Sequence, residues 1–129
     1  MRPDKSTYPA YYENYIPLVK QNNVHEALLA NFQEIKNLIA AIPPEKENYA
    51  YAAGKWTVKQ VLIHIIDTER IMAYRALRFA RKDQQQPLPF DENEYAQHAE
   101  TQNRDLKNLF EEFEAVRRSN SGVFPTKLC

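Results

Sequence analysis

Glycine is scarce in this chain: two in 129, against an average usage near 7%. Tight β-hairpins need glycine or Asn-Gly pairs to reach left-handed turn conformations, and the chain has no Asn-Gly pair. A hairpin-rich fold is thereby disfavoured, and long helices joined by few loops are favoured. There is one cysteine, Cys129, the last residue, so no internal disulfide can form, and a reducing cytoplasm is the default expectation. No apolar run approaches the roughly 20 residues that span a bilayer, and the N-terminal stretch has no apolar h-region of a signal peptide. Seventeen basic residues balance seventeen acidic ones. That balance removes any electrostatic prior for nucleic acid or for an anionic membrane. No phosphate-binding glycine loop, dinucleotide fingerprint or nucleophile elbow is present.

What is there reads as an all-α protein of one domain. Residues 1–22 carry Tyr8, Tyr11, Tyr12, Tyr15 and Pro17, an ordered arm or a short helix broken at Pro17. A first helix is expected over residues 23–42, capped by Asn22 or Asn23 and ended by Pro43-Pro44. Its stripe is Val24, Leu28, Phe32, Ile35, Leu38, Ile39 and Ile42. A second runs from Thr57 to about Arg81. Thr57 and Gln60 form a capping box, and Trp56 and Val61 are spaced for a hydrophobic staple. Pro87 and Pro89 exclude a continuous helix through 82–100, although Asp91 and Glu94 could start a short one. A third long helix is expected over 101–118, with Leu106, Leu109, Phe110, Phe113 and Val116 as its apolar stripe.

The chemistry concentrates on the second helix. On a helical wheel Val58, Val61, Leu62, Ile65, Met72, Ala76, Phe79 and Ala80 share one face. Glu69 falls near its middle, where a carboxylate must be paired, hydrogen-bonded or protonated. It is either half of a structural ion pair with an arginine or tyrosine of a neighbouring helix, or a group lining a polar site. His64 flanks the face, in line with Thr68, Ile71 and Arg75, with Asp67 a turn away. A lone imidazole does not make a metal site, since zinc or nickel wants three or four protein ligands, often with water in the open position. The other histidines, His25 near the start of the first helix and His98 in the loop, read as surface residues. Arg70, Arg75, Arg78 and Arg81 spread around the helix and read as a solvated face and salt-bridge partners.

The stretch from the Tyr49/Tyr51 pair through Gly54-Lys55-Trp56, Thr57, His64, Asp67, Glu69 and Arg75 to Phe90-Asp91-Glu92 resembles the DinB-like superfamily. The likeness extends to Tyr11-Tyr12 and to residues 113–117, covering roughly 8–118. It implies an up-down four-helix bundle, commonly dimeric, holding a divalent metal, zinc or nickel, on three histidines. His64 matches the one on the second helix, and the other two would come from an H-x3-H pair on the last helix. Family activities include thiol-dependent transferases using bacillithiol, mycothiol or glutathione. The resemblance thus points to a metal-dependent thiol transferase or hydrolase-type enzyme with His64 as metal ligand. Trp56, Asp67, Thr68, Glu69 and Arg75 are candidates to line its pocket, and a homodimer, a low-molecular-weight thiol and a small-molecule substrate are the expected partners.

The chain departs from that pattern in having no H-x3-H. Three long helices are expected over a 1–118 domain, followed by a non-family tail, 119–129. The fourth helix is then missing, through truncation or a frameshift, or supplied by a partner chain. A frameshift expects H-x3-H codons in another reading frame just downstream. Three stripes without a fourth helix leave apolar surface exposed. That arrangement predicts a monomer of marginal stability, and it supports a second reading, a non-catalytic helical dimerisation domain.

Overall fold

The computed structural model describes residues 2–120. Four α-helices occur among them: α1 (Val24–Ala40), α2 (Val58–Ala80), the short α3 (Glu92–His98) and α4 (Leu106–Asn120). No strand is present among the described residues. Each start is written locally. Asn23 Oδ1 accepts from the amides of His25 and Glu26. Asp91 does the same for Asn93 and Glu94, and Asp105 accepts from Asn108 at 2.7 Å. At α2 the full reciprocal box forms: Gln60 N donates to Thr57 Oγ1 and Thr57 N to Gln60 Oε1. Of the ordered arm or short helix expected in residues 1–22, the structure has an arm with three short 3-10 turns, Lys5–Thr7, Ala10–Asn14 and Ile16–Leu18, Pro17 lying inside the last.

α4 begins at Leu106, five residues later than the periodicity indicates. The carbonyl of Thr101 is taken by the Lys59 ammonium, 3.2 Å away, and Asp105, not Thr101, caps the helix. The helix also continues past residue 118 to Asn120. Residues 119 and 120, expected to open the tail and the stop, are thus helical, and the rest of the expected tail, 121–129, lies outside the described residues.

The core lies where α2 crosses α4. Leu62, Ile63 and Ile66 of α2 meet Leu106, Leu109 and Phe113 of α4, and Phe32, Ile35 and Ile39 of α1 close one side. Phe32 stacks on Phe113 with centroids 5.8 Å apart. The wheel reading of α2 is corrected by about a quarter turn. The face that packs is Lys59, Leu62, Ile63, Ile66 and Ala73, whereas Val61, Met72 and Phe79 are 43%, 46% and 86% exposed. α2 is apolar around more than half of its circumference, so periodicity alone does not choose between two faces. Val24 and Leu38 of the expected α1 stripe are also exposed.

Lys59 is a buried cation, 6% exposed. It is tolerated because its ammonium meets Thr101 O and lies 3.9 Å from the Glu47 carboxylate; unpaired lysines are almost never found so deep. Gln60 donates from its amide to Ala96 O. The first turn of α2 thereby ties down both α3 and the loop beyond it. At the other end Arg78 pairs with Asp83 and reaches Gln85 O. Lys82 closes the helix in the left-handed region, φ 59°, while Asp83 N returns to Arg78 O.

Candidate functional site

His64 lies in the second turn of α2, on the border between the packed face and the exposed one. The Trp56 indole packs against its ring, centroids 4.8 Å apart. Thr68, one turn on, brings its hydroxyl 3.5 Å from His64 Nδ1. The pair faces a cleft of about 310 Å3 between α1, α2 and the end of α4. Leu28, Ile65, Met72 and Ala73 form its apolar walls, and His64, Thr68, Glu69 and Asn120 its polar ones.

Glu69 is committed elsewhere. Arg117 of α4 grips both of its oxygens, Nε to Oε1 at 2.6 Å and Nη2 to Oε2 at 2.7 Å. The same guanidinium donates to Leu28 O at 2.7 Å and Asn31 Oδ1 at 3.2 Å on α1, and lies over the Phe113 ring. One arginine thus fastens α1, α2 and α4 together. The inter-helix ion pair expected for Glu69 is formed, and the paired carboxylate also lines the cleft.

The remaining candidates divide. Asp67 sits beside the cleft, not in its lining, 3.8 Å from Arg70. Burial pushes its carboxyl above the usual value, a rise that Arg70 opposes, Glu112 reinforces and His64 opposes. Arg70 also pairs with Glu112 at 2.6 Å, and Arg104 holds the other Glu112 oxygen. Burial raises the Glu112 carboxyl, but the two arginines together outweigh it and hold it below its usual value. Arg75 points to the proline loop and donates to Leu88 O at 2.8 Å. Only His64, Thr68 and Glu69 of the six candidates line the cleft, with Trp56 behind the imidazole. Arg117, Asn120 and Leu28 were not anticipated. They are brought there by the packing of α1 and α4, and a lone arginine near a helix end carries no local signal for that.

The three histidines sit on three helices. His25, expected at the surface, is half-buried in the first turn of α1, its Nε2 enclosed without a hydrogen-bond partner. His98 is the last residue of α3, not a loop residue, and its Nδ1 donates to Glu94 O at 2.8 Å. Among the described residues no group of three or more His, Cys, Asp or Glu side chains comes together. A model of the DinB superfamily matches residues 27–125. The chain belongs to the DinB superfamily. No curated protein and no solved structure matches it. DinB proteins are generally metal-associated, but the donors at this DinB cleft do not fit a metal by themselves. They comprise one imidazole, one hydroxyl and a carboxylate already neutralised by Arg117, where three or four ligands are needed. No helix among the described residues is long and apolar enough to cross a membrane.

Proposed function

We propose that this DinB chain serves as a helical interaction domain that pairs with a second copy of itself through the uncovered side of α2. The carrying observation is the exposure of Val61, Met72 and Phe79 along one side of α2, while Leu62, Ile63, Ile66 and Ala73 are buried on another. Contiguous exposed apolar surface of this kind marks an interaction site, and a two-fold dimer sets the same patch against itself. Sedimentation of the purified chain tests this. The wild type should run as a dimer, and Met72→Glu should run as a monomer with unchanged helix content. A monomeric wild type overturns the reading.

A second reading is supported by His64, which faces a cleft at the position matching the family's histidine on the second helix. In that reading the chain is part of a metal-dependent thiol transferase or hydrolase-type site. His64 supplies one ligand to a zinc or nickel ion, and further ligands come from groups beyond those at the cleft. A low-molecular-weight thiol such as bacillithiol, mycothiol or glutathione would be the co-substrate. Elemental analysis distinguishes the two. A stoichiometric divalent ion lost on His64→Ala supports this second reading, and a stable metal-free dimer supports the first.

A further inference from the structure

The charge at the cleft beside His64 is cancelled from behind. Its volume, about 310 Å3, is at the lower end of the roughly 300–1,000 Å3 typical of small-molecule sites. Glu69 is the sole charged carboxylate among its lining residues. Arg117 does not line the cleft, yet it holds both Glu69 oxygens within 2.7 Å. The Asn120 amide leans on the same carboxylate at 3.5 Å. The carboxylate therefore has little capacity left for a ligand cation, and the guanidinium is spent on Glu69, Leu28 O and Asn31. A charged ligand entering between Leu28, Ile65 and Met72 would lose hydration and find no free counter-charge, which is costly. The polar group open to a ligand is the His64–Thr68 pair, at one end of an apolar trough.

We propose that the cleft binds a small uncharged molecule with an apolar body and one hydrogen-bonding head. The body lies on Leu28, Ile65 and Met72, and the head at His64 and Thr68. Arg117 is the residue that sets the preference for zero charge, acting through Glu69 without touching the ligand. The inference does not depend on the dimer. In a dimer the partner would cover the open side of the cleft, and in a monomer that side faces water.

Benzyl alcohol, benzoate and benzylamine share a ring and a size and differ in charge. Each is titrated into the full chain at one fixed pH while the Met72 and Ile65 methyl resonances are followed by NMR. Benzyl alcohol should shift both saturably and bind at least about tenfold more tightly than either charged analogue. Met72→Trp, which fills the trough, should abolish the shift of the remaining Ile65 probe. Glu69→Gln leaves the guanidinium unbalanced and should move the preference toward benzoate; Arg117→Met should move it toward benzylamine. Should either variant fail to fold, the wild-type ranking still decides. Equal or tighter binding of a charged analogue, or no saturable shift with benzyl alcohol, overturns the proposal. Sedimentation of the same samples reports the dimer separately, so failure of one claim is not mistaken for failure of the other.

Discussion

The Arg117–Glu69 clasp is the interaction whose removal should matter most outside the apolar core. Both side chains are only 14% exposed. The guanidinium makes four hydrogen bonds to groups on α1 and α2, between 2.6 and 3.2 Å. Arg117→Ala leaves the largely enclosed Glu69 with only the long Asn120 contact, and removes the side-chain donor that Leu28 O has beside its helix bond. Breaking a buried pair by deleting one partner costs roughly 3–5 kcal/mol. Since this pair retains some solvent contact, the lower figure applies, about 3 kcal/mol. For a chain of this length that corresponds to a fall in Tm of roughly 12 °C. Arg70→Ala removes a partner of Glu112, but Arg70 is 50% exposed, and such surface pairs are worth about 0–1 kcal/mol. The assay is urea unfolding followed by circular dichroism for Arg117→Ala, Arg70→Ala, Glu69→Gln, Arg117→Met and the Glu69→Gln/Arg117→Met double variant. The double variant should be more stable than the sum of its two single changes implies, because deleting both partners leaves no stranded charge. An Arg117→Ala loss no larger than that of Arg70→Ala, or strict additivity in the cycle, refutes the reasoning.

Other outcomes follow from the same geometry. Thr57→Ala should cost about 1 kcal/mol through loss of the α2 cap, measured as a shift of the urea midpoint. Phe113→Ala, at the fully enclosed centre of the core, should cost roughly 3–5 kcal/mol and is expected to lose the cooperative transition. Lys82→Gly should raise stability by up to about 1 kcal/mol, since a non-glycine residue pays for the left-handed conformation that Lys82 adopts. The Asp67 carboxyl is raised above its ordinary 3.8, so the folded chain binds more protons and stability falls as pH rises through that interval. Asp67→Asn should therefore stabilise at neutral pH, with the difference vanishing below the ordinary value. The Glu112 carboxyl is held below its ordinary 4.5, so its contribution is full above that value and lost as pH falls through the lower one. Glu112→Gln should destabilise at neutral pH and converge on the wild type in acid, read from unfolding curves across pH.

Much of the architecture was legible because it is written in short-range code. The Thr57–Gln60 box, the Asn23 cap and the Asp91 start each depend on residues within one helical turn, and each forms as the local chemistry dictates. The stripe of α4 was equally plain, because only one of its sides is apolar: Leu106, Leu109 and Phe113 are all enclosed. The start of α4 differs from its periodicity because Asp105 caps it one turn in, while Lys59, 42 residues away, takes the Thr101 carbonyl.

At the site, local pattern marked His64 and Thr68 as neighbours on one helix, since residues four apart on α2 must lie close. It also required that Glu69 find a partner. Which partner, and therefore what the cleft can bind, was decided only when α4 packed across α2 and set Arg117 against Glu69, 48 residues away. The same packing chose which of the two apolar sides of α2 was buried. Helix periodicity is a property of one segment and is complete without reference to any other. Charge compensation and face selection are properties of pairs of segments, and they come into being only when the chain closes on itself.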